Sequence, residues 1–209
     1  MKGEKSGMST VNPPKQITFE FNLDKFVNAV AYFAEKTGGA DKLKLKGLIY
    51  FADKYCLVRH GMPIIGDWYA KLPMGPVPSK ALDILNDAIE PSGFYEMERD
   101  ELSKYVSIDR EPTHPLFKSK KSFDKDIFSE VELEALEETF KRYGNRDGVS
   151  LSNITHSHPT YCETSTHEID YRLFFKDDED ADPSMLELME IEQEDRNFMD
   201  ALQREVNQP

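Results

Sequence analysis

Residues 61–78 constrain this chain most tightly. Gly61, Pro63, Gly66, Gly75, Pro76 and Pro78 rule out a helix there, while Met62, Ile64, Ile65, Trp68, Tyr69, Leu72 and Met74 rule out a solvated loop. A segment that is both turn-rich and apolar must pack onto a core supplied by its neighbours. Those neighbours read as helices. Upstream, Asn22 is suited to an N-cap, and Leu23, Phe26, Val27, Val30, Phe33 and Ala34 recur at helical spacing until Gly38 and Gly39 break the pattern. Asp41 caps a second helix whose apolar stripe runs Leu45, Leu48, Ile49, Ala52, Tyr55, Cys56 and stops at Gly61; its lysines fall to the other, solvated faces. Downstream, Ser79 opens a third helix with Leu82, Leu85 and Ile89 on one face, closed by Pro91 and Gly93.

The remaining segments add a small sheet and more helix. Gln16–Asn22 alternates Ile17, Phe19 and Phe21 with Thr18 and Glu20, the pattern of a half-buried strand, and Leu102–Ile108 and Leu116–Phe123 read as strands able to pair with it. Ser129 and Glu132 form a capping box for a helix through Leu133, Leu136 and Phe140. Ser150 caps a short helix through Leu151, Ile154 and Thr155 that Pro159 ends, and Asp182–Pro183 starts a last, mostly solvated helix with Met185, Leu188, Met189 and Phe198. The expected fold is mainly α: a compact helical domain with a small antiparallel β-sheet (α+β) and a C-terminal acidic helix. At 209 residues the chain fits one domain with extensions. Residues 1–15 read as a flexible lead-in, 16–175 as the helical domain, and 176–209 as an acidic extension, helical from 183.

The net charge of −13 is unevenly spread, since residues 176–209 hold 12 acids and 3 bases and residues 1–175 carry only −4. Between 42 and 80 the balance reverses, with Lys42, Lys44, Lys46, Lys54, Arg59, Lys71 and Lys80 against Asp53 and Asp67. The total opposes polyanion binding over the whole surface, and no stacking platform of aromatics accompanies the basic stretch, so direct nucleic-acid binding is not expected. A solvated helix face accounts for those lysines. No apolar run suits a signal peptide or a membrane span, which predicts a cytoplasmic protein with no membrane partner. Cys56 and Cys162 show no CxxC pairing and read as buried, reduced thiols, with Cys56 on the apolar stripe of its helix.

Catalytic signatures are sparse. No GxSxG, GxxxxGK[ST], GxGxxG or HExxH occurs, and nothing calls for a cofactor. His156, His158, Cys162, His167 and Asp170 are the one cluster of metal-ligating residue types, at a spacing that fits no standard finger. The ordinary reading of His156 is a hydrogen-bonded histidine at a helix end; His158, before Pro159, reads as exposed.

The motifs that carry a family likeness come in order: Lys44–Leu45–Lys46–Gly47–Leu48–Ile49–Tyr50–Phe51–Ala52, then Ile64–Ile65–Gly66–Asp67–Trp68–Tyr69–Ala70, then Gly75–Pro76–Val77–Pro78. With them the chain resembles the Panacea domain, the SocA-like antitoxin domain. Leu151–Ser152–Asn153–Ile154–Thr155–His156 resembles that family's second block, which there continues to Pro–Trp and here reaches Pro159–Thr160–Tyr161. The likeness covers about residues 24–175, so the helical domain is Panacea-like. Within it Leu45, Leu48, Tyr50, Gly75, Pro76 and His156 stand as structural motif residues.

The resemblance implies a non-enzymatic, cytoplasmic antitoxin of a two-gene toxin–antitoxin module, often carried by prophages, that neutralises a cognate protein toxin by direct contact. It also implies a cellular protease as a second partner, since one related member delivers its toxin for degradation. Trp68, Tyr69, Lys71 and Met74 on the apolar loop are the candidate partner-binding residues, and the acidic 177–195 segment is suited to steering a basic toxin. Two alternatives stand beside this: a metal-dependent hydrolase using His156, His158 and His167, and a phage-encoded interaction protein or protease adaptor without a dedicated toxin.

Overall fold

The computed structural model describes residues 16–111 and 113–206; the lead-in expected at 1–15 lies outside them. Helix α1 (Leu23–Thr37) starts where Asn22 accepts the Lys25 N–H and ends at Gly38, whose φ of 70° suits glycine. Two residues of strand β1 (Ala40–Asp41) lead into α2 (Lys42–His60), where Asp41 accepts the Lys44 N–H. Helix α2 is the axis of the molecule. Its neighbours wrap it so fully that Lys46 and Lys54 are buried along with Leu45, Leu48, Tyr50 and Cys56, which corrects the expectation of solvated lysine faces. The reason is tertiary: a stripe predicts one buried face, and here several elements compete for all of them.

The apolar turn segment does fold back. Ile64 and Ile65 are buried, and the chain forms a hairpin of β2 (Tyr69–Leu72) and β3 (Gly75–Pro78), with Ala70 opposite Val77. Helix α3 (Ser79–Ile89) follows directly. Ser79 is its first residue and offers no side-chain cap; the carboxylate of Asp67 takes the Lys80 and Ala81 N–H groups instead. A polar helix α4 (Glu96–Ser103) comes next, anchored by buried Leu102, then strands β4 (Val106–Asp109) and β5 (Leu116–Ser119). The sheet order is β1, β5, β4, all antiparallel. The start of the strand expected at 102–108 is therefore helix, and the one expected at 116–123 stops at Ser119.

Gln16–Asn22 is extended but belongs to no sheet. Its backbone donors are used elsewhere: Asn22 N–H donates to Ile65 O at 2.8 Å and Thr18 N–H to Gln193 Oε1 at 2.9 Å. The place beside β5 that alternation would have given it is taken by β1.

Helix α5 (Glu130–Tyr143) begins with both bonds of the Ser129–Glu132 capping box. Asp147, not Ser150, caps α6 (Gly148–His156) by accepting the Ser150 N–H at 2.7 Å. A Cβ at Gly148, the first residue of α6, would lie 2.6 Å from Leu43 and 2.8 Å from Lys44 N, so only glycine lets α6 approach α2 so closely. A short α7 (Pro159–Cys162) and a three-ten turn (Tyr171–Asp177) lead to α8 (Pro183–Val206). Helix α8 is tied to the body: Asp182 N–H donates to Val58 O, Arg59 forks onto Asp178, and Met189 and Gln193 are buried. The fold is mainly helical with a small antiparallel sheet and a C-terminal helix, and no helix among the described residues is long and apolar enough to cross a membrane.

Candidate partner-binding site

The four motif segments converge on the hairpin. A Cβ at Gly47 would touch Leu151 at 3.0 Å, so α2 and α6 lie against each other where the first and last motifs meet. Gly75 has a φ of 100°, and a Cβ there would fall 2.5 Å from Thr155 Oγ1; β3 can pass α6 only with glycine at that position. At the hairpin tip, Lys46 Nζ donates to Met74 O at 2.8 Å, and His156 Nε2 faces Pro73 O at 2.9 Å while its Nδ1 faces Ser152 O at 2.6 Å. Two side chains from different helices thus grip adjacent carbonyls of one turn.

The base of the hairpin is held by two carboxylates. Asp53 is fully buried; its Oδ1 accepts the N–H groups of Ile64 and Ile65 and its Oδ2 the Tyr69 hydroxyl at 2.9 Å. Burial outweighs these donors and pushes its pKa up to about 7. Burial likewise pushes Asp67 up to about 6 against the pull of the Ala81, Lys80 and Trp68 N–H groups. Tyr171 donates its hydroxyl to Asp67 O, and Tyr50, Tyr69, Tyr171 and Phe174 pack ring against ring around this base. Lys46 is shifted the other way, its pKa lowered to about 8 by burial. On the outer edge Ile169 N–H donates to Tyr69 O and Lys71 N–H to His167 O, so 167–169 runs beside β2.

The candidate residues separate accordingly. Tyr69 is fully buried, its hydroxyl committed to Asp53, and it offers no surface to a partner, contrary to the sequence reading. Lys71 reaches Thr164 O at 2.6 Å across the Tyr161 ring. Trp68 and Met74 stand 44% and 43% exposed on either side of the hairpin. Each borders a shallow concavity: about 330 Å³ between Met74, Leu72, Leu43 and Leu82, and about 430 Å³ between Trp68, Phe19, Phe21 and Tyr171. Leu45, Leu48 and Tyr50 sit fully buried in α2 beneath the hairpin, and Pro76 opposes Lys71 across it.

The possible metal ligands disperse. His156 faces the hairpin tip, His158 lies beside the Tyr50 hydroxyl at 3.3 Å and against Phe51, and His167 packs on Trp68. His158 is therefore half-buried, not exposed as expected before Pro159. Cys162 is exposed, which corrects its assignment as a buried thiol, whereas Cys56 is buried with its pKa pushed up to about 12 by desolvation. No group of three or more His, Cys, Asp or Glu side chains suited to a metal occurs among the described residues. Asp53, which the sequence reading weighed only as a counter-charge to a basic stretch, and Asp67, which it also placed in the family-like motif, carry the hairpin. The signal was there: they are the only acids from 42 to 80.

What this arrangement supports is presentation. It fixes a two-stranded hairpin and leaves Trp68 and Met74 outward, one beside a mixed polar and aromatic recess and the other beside an apolar one. The model of the family described as antitoxin SocA-like, Panacea domain, matches residues 45–161, from the body of α2 to α7. No curated protein and no solved structure matches the chain.

Proposed function

Because the chain belongs to the SocA-like antitoxin, Panacea domain family, we propose that it is an antitoxin that neutralises a cognate protein toxin by direct binding, without catalysis, in the cytoplasm. The observation that carries this reading is the match over 45–161 to an antitoxin family, together with the meeting of its motif segments around one hairpin that leaves Trp68 and Met74 outward. Masking a toxin requires affinity and a preformed surface, and the Lys46, His156, Asp53 and Asp67 contacts preform this one. Hydrolysis through His156, His158 and His167 has no support in a geometry that points them at three different neighbours.

Co-expression with the product of the adjacent gene tests the reading. The neighbour alone arrests growth, this chain restores it, and the two co-purify; a Trp68→Asp, Met74→Asp double variant loses both effects while melting like the parent. A neighbour that is harmless alone, with no complex recovered, overturns it.

A further inference from the structure

Helix α8 lies beyond the part of the chain that matches the family, and it has two apolar faces where one would suffice to dock it. The inner face is Met185, Leu186, Met189 and Gln193, spaced to lie along one side of the helix. It closes on Gly61, and Gln193 accepts from the Thr18 N–H. At about 100° per residue, Leu188, Ile191, Phe198, Met199 and Leu202 fall roughly 150° around the helix from that side. All five are exposed, Phe198 by 64% and Ile191 by 51%.

Charge selects the occupant of this outer face. Leu188, Ile191, Phe198 and Leu202 fit a heptad with Asp195 in the seam, and the flanking positions carry Glu187, Glu192 and Glu194. The two arginines of the helix, Arg196 and Arg204, fall on the inner side by the same spacing; Arg196 donates to Thr18 O and also pairs at 3.8 Å with Glu192, so Glu187 and Glu194 carry most of the outer charge. A second copy of this chain would set the three glutamates against their own equivalents. A helix with basic flanks would pair with them.

We propose that the outer face of α8 docks an amphipathic helix of the toxin whose apolar seam is flanked by lysine or arginine. This rests on the antitoxin reading and adds to it the chemistry of the partner. It also separates two tasks: the family-matched body holds the hairpin, and an element outside the match discriminates between partners by apolar contact and complementary charge.

Two measurements on the full chain test the proposal. In the first, fluorescence anisotropy compares two labelled synthetic peptides with leucine at the seam, one with lysine and one with glutamate at the flanks. The lysine peptide binds about tenfold tighter or better at low salt, and the preference shrinks as salt screens it. A variant with Glu187, Glu192 and Glu194 all changed to Lys reverses the preference, while Ile191→Ser with Phe198→Ser abolishes binding of both peptides. Equal binding of the two peptides, no reversal, or an equilibrium dimer that the Ile191→Ser, Phe198→Ser pair dissolves overturns the proposal. In the second, the serine pair is scored for rescue of growth from the adjacent gene's product. Lost rescue with an unchanged melting temperature supports α8 as the toxin dock. Intact rescue overturns it and leaves the antitoxin reading standing, whereas a neighbour that is harmless alone removes the antitoxin reading, and the docking of a basic helix is then decided by the peptides.

Discussion

A buried carboxylate that accepts from two backbone N–H groups and a tyrosine hydroxyl does a cap's work in a place no helix begins. Asp53 performs it for Ile64 and Ile65, and the cost shows in its pKa of about 7. Between about pH 4, where the unfolded carboxyl ionises, and pH 7, the folded chain holds a proton that the unfolded chain has released. Stability therefore falls as pH rises across that window, by on the order of 4 kcal/mol for a shift of this size if nothing else titrates. Asp53→Asn keeps an oxygen for both N–H groups and can donate to Tyr69, so its denaturation midpoint should vary less with pH from 4 to 7 than that of the parent. A parallel pH dependence in the two proteins would show that Asp53 is not the source. Sequence periodicity finds residues such as Leu45 and Phe33 because apolar burial repeats along a helix. It does not find Asp53, whose role depends on a turn eleven and twelve residues away.

Most helix starts were legible where the cap is local, though α6 shows that a local signal can mislead, since Asp147 and not Ser150 accepts there. The caps at Asn22, Asp41, Ser129 and Asp182 lie within three residues of the N–H groups they satisfy, and each was readable from the chain. The cap of α3 was not, because Asp67 reaches it from a turn that only the folded hairpin brings near. Gln16–Asn22 failed for a related reason: alternation shows which side chains are buried, not whether a strand or a glutamine side chain receives the backbone. The hairpin itself depends on Gly75 at a φ of 100°, close against Thr155. Gly75→Ala should cost about 2 kcal/mol or more, since it adds a strained backbone to a collision. Trp68, the only tryptophan, sits one residue before β2, so its emission should change with the hairpin. A variant that melts and emits like the parent would mean the close approach of β3 and α6 is not fixed by this glycine. Loss of the hairpin should also remove neutralisation, which links an element's geometry to the proposed activity.

Over the whole molecule the charge imbalance becomes specific once the C-terminal helix is divided by what it touches. The acids of 176–209 are not a free tail. Asp178 pairs with the buried side of Arg59, Asp182 turns the chain into α8, and Met189 seals the end of α2. Deleting 177–209 would strip the body, so a loss of function there would carry no message about partners. Deleting 198–209 removes Phe198 and Leu202 and leaves Met189, Gln193 and Arg59–Asp178 in place. This shorter deletion should leave the melting temperature within a few degrees of the parent, because among the described residues it removes no buried side chain. It should also weaken binding to the lysine-flanked peptide while what remains keeps its salt dependence, since part of the apolar seam is gone while Glu187, Glu192 and Glu194 persist. A deletion that unfolds the chain would show that the outer half of α8 supports the body. One that changes neither stability nor peptide affinity would place the partner surface wholly on the hairpin and its two grooves.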